Sequence, residues 1–178
     1  METTYLLAQI DQTTEAFQKA FGALSPEVLN RKPNAQTWSI AQCIDHIMVI
    51  NLTYLPIIQQ LRDGTYKLPW HARFPGLVRF FGNFVLQSVH PDRRKKIKTF
   101  PIWEPSQSDL PADILTRFTR HQEELKNLIT NSHDLLSRGT VITSPASRMI
   151  VYKLETAFEI IVTHEVRHLN QALELNSK

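Results

Sequence analysis

The chain has 178 residues, 42% hydrophobic and 21% charged, with five glycines against ten prolines. That length suits one domain, residues 1–178, with a sizeable core, and so few glycines argue against an all-β chain of tight turns. The net charge is +3, and Arg93, Arg94, Lys95, Lys96 and Lys98 supply much of it in one cluster, which is not the spread of positive charge expected of a nucleic-acid-binding face.

Residues 3–22 read as a first helix, since Leu6, Ile10, Phe17 and Phe21 recur at helical spacing. Ser25-Pro26-Glu27 and Lys32-Pro33-Asn34 punctuate the chain as turns. Ser39 and Gln42 have capping-box spacing and open a second helix that runs through Ile40, Ile44, Ile47 and Ile50 toward Leu61. Pro56 should kink it or end it early. Residues 64–108 carry five prolines and read as an irregular insert across one end of the fold. Its one amphipathic stretch, Leu77 to Val89, sets Leu77, Phe81, Phe84, Val85 and Ser88 on one side.

A third helix is expected from Asp109 as N-cap, with Pro111 in its first turn and Ile114, Phe118, His121, Leu125 and Leu128 inward. Residues 132–148 read as a loop. A fourth helix is expected from about Ser147 to Leu175, with Ile150, Leu154, Ala157, Ile161, His164, His168, Gln171 and Leu175 inward. Four amphipathic segments with little strand signal predict an all-α four-helix bundle.

A single cysteine, Cys43, excludes an internal disulfide and suits a reducing cytoplasm. The first residues lack the marks of a secretion signal, and no stretch reads as a membrane span of about 20 apolar residues. The expectation is a cytoplasmic protein with neither nucleic acid nor membrane as partner.

Chemistry concentrates on the histidines. His164 and His168 are four apart, which sets both imidazoles on one helix face, one turn apart. They interrupt an apolar line and so point inward, where two neutral imidazoles can share one ion. His46 lies mid-way along the second helix, and bundle sites take ligands from facing helices. Each of the three also has a bland reading as a core histidine with a hydrogen-bond partner. His164-Glu165-Val166-Arg167-His168 spells H-E-x-x-H, but a zinc-protease reading with Glu165 as base lacks strands and room for a third ligand downstream. Glu165 is expected to face solvent, pair with a neighbour or orient a ligand histidine. His121 is a candidate proton shuttle, Cys43 and Gln171 are neighbours one turn from ligands, and Cys43 on its own reads best as a small buried hydrophobe.

Trp38-Ser39-Ile40, Asp45-His46-Ile47 and His164-Glu165-x-x-His168-Leu-x-Gln171, in this order along essentially the whole chain, resemble the DinB/YfiT-like superfamily. The resemblance implies an up-down-down-up four-helix bundle with a divalent metal, zinc or nickel first, on His46, His164 and His168. It further implies a metal-dependent transferase using a low-molecular-weight thiol, or a hydrolase, acting on a small-molecule substrate. The alternative is a non-catalytic, stress-related metal-binding or interaction module. The bundle end is rich in aromatic residues, which is compatible with a homodimer.

Overall fold

The computed structural model describes residues 3–92, 99, 103–105 and 109–176, so the basic cluster at 93–98 lies outside the described residues. Helix α1, Thr3–Phe21, follows the predicted apolar line, with Leu6, Ile10, Phe17 and Phe21 buried. Pro26 then starts a five-residue helix, α2 (Pro26–Asn30), where a plain turn was expected.

Helix α3, Ile40–Leu52, opens with the predicted capping box. The Ser39 side chain accepts from the Gln42 amide, and the Gln42 side chain accepts from the Ser39 amide, each at 3.1 Å. The expected run to Leu61 is broken at Thr53 and Tyr54, and α4 (Leu55–Arg62) restarts with Pro56 in its first turn. Proline fits there because first-turn amides have no helical acceptor. Together Ile40–Arg62 are long and apolar enough to cross a membrane by composition, contrary to the sequence reading. Yet 67% of the most apolar window is buried in the fold, and α3 packs on other helices of the same chain. It is a core helix.

The insert is more regular than expected. A 3-10 turn, Trp70–Arg73, leads into α5 (Pro75–Val89), which packs on strand β2 (Ser147–Lys153) and on helix α8 (Leu154–Asn176). The buried face is turned relative to the one predicted. Val78 and Gly82 face inward with Phe81, Val85, Leu86 and Val89, whereas Leu77 and Phe84 are exposed. Gly82 explains the turn, since a Cβ there would meet Thr156 Cγ2 at 3.2 Å and Tyr152 Cβ at 3.3 Å. The helix approaches its neighbours on the side that has no side chain.

Helix α6, Ile114–Asn131, starts later than expected, with Asp113 rather than Asp109 at its N-cap. Asn30 holds the preceding chain instead. Its side chain accepts from the Leu110 amide at 2.9 Å and donates to the Leu110 carbonyl at 2.8 Å. Ile114, Phe118, His121 and Leu125 are buried as predicted, and Ile129 rather than Leu128 completes the line.

The stretch 132–153 departs most from expectation. It contains α7 (His133–Ser137) and an antiparallel hairpin of β1 (Val141–Ser144) with β2, registering Ile142 with Tyr152 and Thr143 with Val151. The last helix therefore begins at Leu154, not Ser147. The fold is mostly helical with one small sheet. Helices α1 and α3 each pack on both α6 and α8. Two of the three core clusters among the described residues lie between these helices. One joins Leu6 and Ile10 to Ile50, Leu125, Ile129 and Leu154–Val162 residues, and the other joins Phe17 and Phe21 to Ile40–Met48 residues, Ile114, Phe118, Leu169 and Ala172.

Candidate metal centre

Helix α3 carries His46 toward α8, and α8 returns His164 and His168. All three are buried, at 2%, 7% and 6% exposure, and one ring nitrogen from each lies within 4.8 Å of the other two. Among the described residues this is the one group of three histidine, cysteine or carboxylate side chains so arranged. The His46 ring meets the His164 and His168 rings edge-on, with centroids 5.2 and 4.6 Å away. The Nε2 atoms of His164 and His168 face each other at 2.9 Å.

Second contacts hold two of the rings, His46 and His168. His46 Nδ1 donates to the Trp103 carbonyl at 2.5 Å, which leaves Nε2 with its lone pair. Trp38, the residue before the capping box, lies over His46 at 4.6 Å and stacks on His168 at 5.9 Å. The tryptophan of the Trp-Ser motif is thus a wall of the cluster, and the insert supplies another part of its cover through Trp103.

The electrostatics favour neutral imidazoles. Burial pulls His46 down to about 4, against smaller opposing effects of the Trp103 carbonyl and Asp45. Burial also holds His164 and His168 well below the ordinary histidine range, aided by the neighbouring histidines and by Arg167, with Gln171 acting the other way on His168. Two neutral ring nitrogens 2.9 Å apart can share a proton or a cation between them. The donor set, three neutral nitrogens and no carboxylate, suits a first-row divalent metal.

The other sequence candidates lie elsewhere. Glu165 does not face solvent. It is fully buried and accepts from Asn51 Nδ2 of α3 and Gln122 Nε2 of α6, both at 2.8 Å. Burial raises its carboxyl to about 7, against the two amide donors. It points here because α8 packs on α1, α3 and α5 at once and so has more than one buried face. His121 is buried beside it in the network, its Nε2 3.2 Å from Asn51 Nδ2, and burial lowers its pKa. It also lines a cleft of about 290 Å³ between α3 and α6 with Asp45, Met48, Leu52, Arg117 and Glu124. Neither Glu165 nor His121 belongs to the histidine cluster. Cys43 is fully buried among apolar residues, its thiol pushed up to about 12 by burial, and it stands outside the cluster too. Sequence reasoning missed Asn51 and Gln122, although a polar residue inside Val49-Ile50-Asn51-Leu52 is itself a signal.

The chain is mostly helical, and its long helices bring three buried histidines together as a group that could hold a metal ion. Residues 9–172 match the family model of the DinB superfamily, and the chain belongs to that superfamily. No curated protein matches it. No solved structure matches it either.

Proposed function

We propose that the protein is a metal-dependent enzyme that binds one divalent ion, zinc or nickel first, through His46, His164 and His168, and catalyses thiol transfer or hydrolysis on a small molecule in the cytoplasm. The observation that carries the reading is the convergence of three buried, neutral imidazoles from two helices. We read the helices as the up-down-down-up bundle. This is supported by the N-terminal half of α1 and of α8 sharing a core cluster with the C-terminal ends of α3 and α6.

A divalent ion bound there supplies a Lewis acid that acidifies a water or a thiol at neutral pH. The chain's own residues prepare the site. Burial keeps the imidazole lone pairs free of protons, the Trp103 carbonyl selects the His46 tautomer, and Trp38 shields two of the rings from water. Arg167, whose Nη1 donates to the His90 carbonyl at 2.9 Å, places a positive charge near His164 and His168, suited to an anionic substrate or a thiolate.

The low exposure of all three histidines supports the second reading, a metal-binding module without turnover. A cobalt-substituted protein separates the two. Spectral change on adding cysteine, glutathione or a related thiol, absent in His46→Ala, supports thiol chemistry. A cobalt spectrum indifferent to every thiol and to added anions supports the module, and failure to bind any metal overturns both.

A further inference from the structure

The face of α5 turned away from the fold is apolar where a solvated helix would be polar. Phe80 and Phe84 are each 60% exposed with their rings stacked at 6.5 Å, Leu77 is exposed one turn before them, and Phe74 one turn before that. Trp70, 69% exposed, continues the line and meets the Phe74 ring at 5.8 Å. Beneath Trp70 lies a shallow cavity of about 400 Å³ lined by Leu68, Pro69, Ala72, Arg73 and Val141. Exposed side chains of this number and size make a patch on the order of 500 Å², near the upper end for the largest patch of an ordinary monomer.

Charge selects the partner. Between Asp63 and Asp92 the chain has no carboxylate, and it has Lys67, Arg73 and Arg79. Arg73 sits 5.6 Å from both the Trp70 and Phe74 rings, so a cation is built into the aromatic patch itself. Arg79 is exposed beside Phe80. Five further cations follow in sequence at 93–98. Within this stretch of sequence the apolar line is thus accompanied by cations and by no carboxylate. A symmetric contact with a second copy would set these cations against each other with no carboxylate from this stretch to balance them. An anionic lipid surface satisfies both features, taking aromatic side chains at the headgroup boundary and cations at the phosphates.

We propose that the outer face of α5, with Trp70 and Phe74 before it, docks the protein on anionic membranes as a peripheral, interfacial helix. Sequence periodicity sets Leu77, Phe81, Phe84, Val85 and Ser88 on one side of this helix. In the structure Val78, Gly82 and Val85 face the fold instead, which leaves the phenyl rings of Phe80 and Phe84 for another surface.

The test is co-sedimentation of the full chain with phosphatidylcholine vesicles, alone or with about one-third phosphatidylglycerol. Binding is expected on the anionic vesicles, weakening as salt rises from about 0.1 M to about 0.5 M. Phe80→Ser/Phe84→Ser should lower the partition at least about tenfold, and Arg73→Glu/Arg79→Glu should remove the preference for anionic lipid. Helicity and melting checked beside the wild type show that each variant is folded. If a double variant is unfolded, Phe84→Ser or Arg79→Glu alone replaces it, with a smaller loss expected. No binding to anionic vesicles, or equal binding to neutral ones, overturns the proposal. So does a wild-type dimer that the phenylalanine variant dissociates without any vesicle binding, which would assign the face to a second copy.

Discussion

Asn51 on α3 donates to the carboxyl of Glu165 on α8 at 2.8 Å, inside the core and 114 positions away in sequence. Gln122 of α6 donates to the other carboxyl oxygen. One acidic side chain thereby ties together three helices, and the residue before it is the metal-site candidate His164. The clamp fixes the rotation of α8 that turns His164 and His168 toward His46.

Glu165→Ala removes the shared acceptor, strands two buried amides and opens a cavity, so a loss of about 3 kcal/mol or more is expected in denaturant unfolding. Glu165→Gln should fold, because Asn51 Oδ1 and Gln122 Oε1 are buried without partners among the described residues and can accept from the new amide after a flip. The pH dependence separates the two forms. A carboxyl at about 7 in the fold, against 4.5 for the free group, gives stability that is full below pH 4.5 and lost as pH rises toward 7. The wild type should therefore lose roughly 3 kcal/mol relative to Glu165→Gln over that window, measured on chelator-treated protein. A constant difference between the two proteins across the window would show that burial does not shift this carboxyl.

The histidines titrate in the opposite sense. His46 at about 4 in the fold, against 6.5 when free, adds stability above pH 6.5 that is lost as pH falls toward 4. Protons therefore compete weakly with a metal, and its affinity should change little between about pH 8 and about pH 6. The wild type should carry about one metal per chain, and a hundredfold excess of metal over its Kd should add about 2.7 kcal/mol of stability. His46→Ala, His164→Ala and His168→Ala should each lose the metal and the added stability. Plasma mass spectrometry beside calorimetry reads both, and a mutant that keeps its full complement would remove that residue from the ligand set.

Much of this centre is legible in the chain because helical periodicity is local. The spacing of His164 and His168 predicts a shared face, and the capping box at Ser39 sets the start of the helix that carries His46. The hairpin is not legible in the same way. Ile150-Val151-Tyr152 extends the line of Leu154 and Ala157 at helical spacing, and a short apolar run fits both periods. Partners chosen by packing are harder still. Asn51, Gln122 and Glu165 come from three helices, and the contact of His46 is with a backbone carbonyl, which any residue at position 103 would present. The H-E-x-x-H string misleads about Glu165, since one residue past a ligand on a helix lies on a different face.

Cys43 gives a direct reading of core integrity. Its thiol is fully buried and pushed up to about 12, so almost none is thiolate at neutral pH. An aromatic disulfide reagent should leave the native protein unlabelled over hours and label it fully on unfolding. Rapid native labelling would mean that the Phe17–Ile44–Phe118 region opens readily.

Gly82 sets how closely α5 approaches the hairpin and α8, and with it how the aromatic face is presented. Thr156 and Tyr152 stand where a Cβ would go, at 3.2 and 3.3 Å, so Gly82→Leu must push the helix outward. The expected cost is about 1–3 kcal/mol. Gly76, on the same helix, has nothing within 4 Å of its Cβ position, and Gly76→Ala should add roughly 0.4–1 kcal/mol by restricting the unfolded chain. Chemical denaturation of the two variants beside the wild type reads opposite signs if α5 is held by contact at Gly82. Equal and small effects would show that α5 rests on the bundle without close packing.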